Sequence, residues 1–155
     1  MAETVKLDGL DDLNRAIKEL KADLRRKVAR AALRDAAKPI QRAAVAAAPV
    51  LKGEHPYRLP GTLKRSILVK ASKRFNGRDG EVGVYIAVRK RKGLGGKAGA
   101  RNPFDPFYWR FQEFGTRKMA ARPFMGPAFN AHARNAIQIF QDRIKVRIDK
   151  ANRRK

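Results

Sequence analysis

Apolar positions along this chain follow two periods, and the switches between them mark the elements. Leu10, Leu13, Ile17, Leu20, Leu24 and Val28 step by three and four, the repeat that lays one stripe along a helix. Asp11 and Asp12 fall in its first turn, where negative charge meets the positive end of the peptide dipoles. Ala29 to Ala48 continues with strong helix formers. Pro39 is expected to kink this run, because proline removes one backbone bond and crowds the preceding turn. Leu10 to Ala48 therefore reads as one bent helix or as two with a break near Ala22, and Pro49 ends it either way. Its alanine surface (Ala36, Ala37, Ala43, Ala44, Ala47) permits close approach of a neighbour, within the molecule or across a subunit interface.

From Ser66 to Phe75 and from Glu81 to Arg89 the period drops to two. Ile67, Val69 and Ala71 alternate with Ser66, Leu68 and Lys70, while Val82, Val84, Ile86 and Val88 alternate with Gly83, Tyr85 and Ala87. Asn76-Gly77-Arg78-Asp79-Gly80 between them supplies turn chemistry, so the pair predicts an antiparallel hairpin. Val50 to Pro60, with Gly53, Pro56 and Pro60, reads as a loop. Phe129, Ala133, Ala136, Ile137, Phe140, Ile144 and Ile148 restore the helical period and predict a long C-terminal helix. Pro127 suits its first turn, where a missing N–H goes unmissed.

The expected fold is α+β, with N-terminal helices and the long C-terminal helix packed on a small antiparallel β-sheet. A third strand is expected from Met119 to Phe124. One core is expected to gather Ile67, Val69, Val84, Ile86, Phe114, Phe124, Phe129, Ile137 and Phe140. With 155 residues the chain reads as a single domain, 1–155.

Between the hairpin and the last helix lies an aromatic segment, Phe107 to Phe129, that holds the only Trp, Trp109. Gly115 follows Glu113-Phe114 where positive φ costs nothing. Thr116 can bond back to the local backbone, and Pro123 drives Arg122 toward an extended conformation. An aromatic corner that seals a small core explains this composition without metal, phosphate or nucleophile.

Charge changes the picture. Lys and Arg number 37 against 14 Asp and Glu, a net charge of +23. Self-repulsion on that scale opposes a lone compact monomer and favours an anionic partner, nucleic acid first among them, or an acidic neighbouring subunit. Arg89 to Arg101 concentrates six of these cations (Arg89, Lys90, Arg91, Lys92, Lys97, Arg101) among four glycines and no acid. It lacks the Gly-Lys-Ser/Thr ending of a phosphate-binding loop and reads as a general polyanion contact, to DNA phosphates or to an acidic partner. The residues 150–155 form a basic tail.

Catalytic chemistry is not evident. The chain has no cysteine and two histidines, His55 and His132, far apart in sequence. Glu113 has no second carboxylate beside it; it is expected to accept turn N–H groups or to pair with Arg117 or Arg122, not to act as a general base. Scattered acids do not make a metal site, so neither metal nor cofactor is expected. No window approaches the roughly 20 apolar residues of a membrane span.

One resemblance joins these parts. Glu113-Phe114-Gly115-Thr116, then Ala121-Arg122-Pro123-Phe124 and Pro127-Ala128, resembles the signature of the tail-completion, or head–tail joining, neck proteins of long-tailed phages and prophages. Ala48-Pro49, Gly61-Thr62-Leu63 and Ser66-Ile67 precede it in the family's order, over roughly residues 7 to 145. Here Val50 to Pro60 lengthens one connection, and the basic Arg89 to Arg101 stretch another. The resemblance implies two N-terminal helices rather than one. It further implies a virion protein, assembled in the host cytoplasm, that joins the DNA-filled head to the tail as a homo-oligomeric ring. Its neighbours would be connector and tail-tube or tail-terminator proteins, with non-specific contact to genomic DNA. Charge alone would fit a basic architectural nucleic-acid-binding protein as well; the ordered motifs favour the neck.

Overall fold

The computed structural model describes residues 15, 17, 18, 20–53, 55–76, 81–90 and 99–153. Through them run α1 (Ala22–Ala47), α2 (Thr62–Ser66), β1 (Ile67–Asn76), β2 (Val82–Val88), α3 (Trp109–Phe114) and α4 (Met125–Asn152). Arg15, Ile17 and Lys18 are helical as well. Lys21 is extended, with ψ at 142°, so α1 starts afresh after a break at Leu20 and Lys21. The two-helix alternative holds, and α1 itself runs through Pro39 without interruption.

The hairpin lies within a residue of its expected limits. β1 and β2 pair antiparallel with Ile67 opposite Val88, Val69 opposite Ile86 and Ala71 opposite Val84, and the register shifts between Ala71 and Asn76. Arg89 N–H donates to Ser66 O at 2.8 Å and extends the ladder by one bond. The expected turn residues 77–80 lie outside the described residues. On α1, the Gln41 side chain donates to Ile67 O at 2.9 Å, fastening helix to strand. The fold is α+β, with two strands among the described residues.

Met119 to Phe124 is not the third strand expected. Thr116 and Met119 form an isolated bridge, and Arg122 N–H donates to Gln112 O of α3 at 2.7 Å. That bond ties the segment to a helix instead of a sheet edge.

Burial divides into two clusters. The first joins Val28 and Ala32 of α1 to Ile144, Ile148 and Ala151 of α4, with Leu20 closing one end. The second joins Ala44 and Ala48 to Leu63, Ile67, Val88, Phe124 and Ala128, so the first turn of α4 packs on the hairpin. An ion pair links the helices on the outside: Arg147 Nη2 of α4 lies 2.6 Å from Asp35 Oδ2 of α1, and Lys38 Nζ lies 2.8 Å from Asp35 Oδ1. The single expected core is therefore corrected. Phe114 is 75% exposed, Phe129 56% and Ile137 37%, whereas Phe124 is 0% exposed. Glu113 turns inward, and Phe114, about 100° further round the helix, turns to solvent.

Candidate assembly surface

Glu113 is buried at the end of α3. Its Oε2 accepts the N–H groups of Phe124 at 2.8 Å and Met125 at 3.0 Å, and its Oε1 accepts Gly126 N–H at 2.9 Å. The first N–H groups of a helix have no partner within it, and α4 has no side-chain cap of its own. A carboxylate eleven to thirteen residues earlier in the chain supplies one, where its charge also meets the positive end of the helix dipole. Burial pushes the Glu113 carboxyl up, but the three N–H donors outweigh it and hold the group below its ordinary range. Glu113 thus takes backbone N–H groups, as expected, but those of the α4 N-terminus rather than those of the adjoining turn.

The rest of the motif makes this reach possible. Gly115 sits at φ +73°, and a Cβ there would lie 2.9 Å from Ala121 N and 3.0 Å from Met119 O. Thr116 N–H donates to Met119 O at 2.9 Å, and the Thr116 hydroxyl accepts Lys118 N–H at 3.2 Å. The chain thus reverses tightly after α3 and returns Phe124 to the core. Arg122 and Pro123 are exposed, Pro127 occupies the third position of α4, and Ala128 is buried against Phe124's neighbours. Glu113, Phe114, Gly115, Thr116, Arg122, Pro123, Phe124, Pro127 and Ala128 form one corner joining α3 to α4. Gly115→Ala is expected to destabilise the fold by about 1–3 kcal/mol, because strain in φ and a backbone clash arise together; chemical denaturation measures it.

Beside this corner the surface opens into an apolar groove of about 710 Å³ between α1, β2 and α4. Leu33, Ala37 and Ile40 form one wall, Val84 and Ile86 another, and Phe129, Ala133 and Ile137 the third. The helical stripe predicted from Phe129 to Ile148 is real, but only its C-terminal part is buried; its first half faces this groove. Periodicity identifies an apolar face without saying what covers it.

Of the basic-loop residues, Arg89, Lys90 and Arg101 are exposed, while Arg91, Lys92 and Lys97 lie outside the described residues. Asp105 is buried and accepts Gly99 N–H at 2.7 Å. In the basic tail, Lys150 stands in the last turn of α4, and residues 154–155 lie outside the described residues. His55 accepts Tyr57 N–H at 3.2 Å in an exposed turn. Among the described residues no three His, Asp or Glu side chains gather as metal ligands, and no helix is long and apolar enough to cross a membrane.

Comparison with protein families decides the kinship. A family model described by bacteriophage HK97 gp10, a candidate tail component, matches residues 11–115. The chain belongs to the HK97-gp10-like family. No curated protein and no solved structure gives a significant match. The HK97-gp10-like match takes in α1, α2, the hairpin and α3, and ends at Gly115; it includes Glu113 but not the helix that Glu113 caps. Tail components are structural parts of the virion, which gives this chain its broad role and its location.

Proposed function

We propose that the protein joins the filled phage head to the tail as a ring of identical subunits in the neck, in contact with connector and tail-tube or tail-terminator proteins. The observation that carries this reading is the apolar groove. Apolar grooves open to solvent and rimmed by polar residues serve as contact sites. Here Phe129 and Ile137 are exposed along one wall, in a chain of the HK97-gp10-like family. A closed ring needs two different patches per subunit, and the groove supplies one. The net charge of +23 keeps free subunits apart until a neighbour templates their assembly. In this role the protein is structural and not an enzyme. Its Arg89 to Arg101 loop faces DNA in the channel or an acidic neighbour.

Particles lacking the protein are expected to accumulate as separate filled heads and separate tails, and normal joined virions in its absence would rule the role out. A sharper test is Phe129→Arg together with Ile137→Asp. Both side chains are exposed, so folding stability should hold within about the ±0.5 kcal/mol typical of surface changes. Head–tail joining in a complementation assay should fail. Joining at wild-type levels would remove the groove from the assembly surface.

A further inference from the structure

Away from the groove, the α1–α4 pair carries a second surface of opposite character. Lys27, Arg30, Arg34 and Lys38 follow one another at three- and four-residue steps along one face of α1. From Lys27 to Lys38 they cover eleven residue steps, about 16 Å of helix. Two adjoining hollows of about 430 Å³ each lie along this line, and α4 contributes Arg147 to one and Arg143 to the other. The acids of this face are Asp35 and Asp142. Asp35 does not thin out the array; it holds Lys38 and Arg147 in place from opposite sides, at 2.8 and 2.6 Å. Lys27, Arg30 and Arg34 have no acidic partner among the described residues. Like charges one turn apart oppose a helix, a cost that folding does not recover.

We propose that this ridge binds the phosphate backbone of duplex DNA without reading its sequence. The site is independent of the Arg89 to Arg101 loop and of the ring. Three properties match it to a nucleic acid and not to an acidic protein. The array is linear, nearly uniform in sign and set on two mutually braced helices, as suits a partner with one charge per roughly 1.7 Å of axis. It offers few apolar anchors: Val146 is the large exposed apolar side chain in the two hollows, whereas protein interfaces are anchored by apolar and aromatic clusters. No Asn or Gln lines the two hollows, and Arg and Lys held to phosphate oxygens position the duplex but carry no sequence information.

The test is a salt titration of the full chain on random-sequence duplex DNA, read by fluorescence anisotropy. The ridge variant is Lys27→Gln with Arg30→Gln and Arg34→Gln. A control of equal charge carries Lys52→Gln, Arg117→Gln and Lys118→Gln, three exposed cations elsewhere. The ridge variant is expected to lower the slope of log K against log salt by about 0.9 for each phosphate no longer neutralised, up to about 2.7, while the control stays near wild type. Arg34→Gln alone, at an exposed position, gives about a third of the effect and serves if the triple variant melts early. An unchanged slope in the ridge variant, or an equal drop in the control, would overturn the proposal. So would ridge-dependent binding of polyglutamate with DNA binding untouched, which would assign the ridge to an acidic protein. Loss confined to an Arg89→Ala, Lys90→Ala, Arg91→Ala and Lys92→Ala variant would assign DNA to the loop instead.

Discussion

Phe124→Ala is expected to lower folding stability by about 3–5 kcal/mol. The ring is 0% exposed and stands where α1, α2, both strands and α4 meet, among Ala44, Ala48, Leu63, Ile67, Val88 and Ala128. Half of these neighbours are alanines, which have no longer side chain to swing into the space left behind. The cavity therefore stays open, and its cost adds to the lost transfer free energy. Phe129→Ala provides the comparison: the same atoms leave a residue that is 56% exposed, and the loss should be far smaller. Denaturant unfolding of the two variants measures the difference. Equal midpoints would remove Phe124 from the core.

Glu113→Gln is expected to cost about 2–3 kcal/mol at pH 7, the range for hydrogen bonds to a buried charged group. Glutamine keeps the shape but presents one oxygen to three N–H donors, and its NH₂ points at N–H groups that need an acceptor. The effect depends on pH with a definite sign. The folded protein holds this carboxyl below its ordinary value of 4.5, so the stabilisation is whole above that value. It is lost as pH falls through the lower, folded one. The gap in stability between wild type and Glu113→Gln should therefore close on acidification. A gap that persists in acid would mean that shape, not charge, fixes the corner. Asp35 is also held low, first by its bond to Lys38 and then by that to Arg147. It follows the same sign and is present in both proteins, so it cancels from the comparison.

Local periodicity is enough for what local periodicity governs. The hairpin is legible because alternation and turn residues point to the same limits, and the long last helix because its stripe is sustained over five turns. Its start is visible in Pro127, yet the cap that fixes it is not. Glu113 lies on another helix, and nothing in the spacing of residues 113 and 124 signals a carboxylate meeting three amides. Aromatic side chains usually are buried, and that rule alone puts Phe114 and Phe129 in the core. Phe114 loses its place to a neighbour whose burial satisfies three backbone donors, and Phe129 faces an open groove. The short helices Thr62–Ser66 and Trp109–Phe114 are too brief to show a period at all. Of the alanine surface of α1, Ala44 packs in the cluster around Phe124 and Ala37 lines the open groove, a division that composition does not reveal.

The two buried clusters lie at opposite ends of the same helix pair, with the groove along one side between them. Regions packed separately open separately, and amide exchange resolves them as distinct units. The C-terminal half of α4 is thus expected to loosen from Val28 and Ala32 without releasing Phe124 from the hairpin. A neighbour seated in the groove would touch the helices between these two regions and bridge them, so that neither opens alone. Joining the proposed ring would then make each copy stiffer as well as fixing its place.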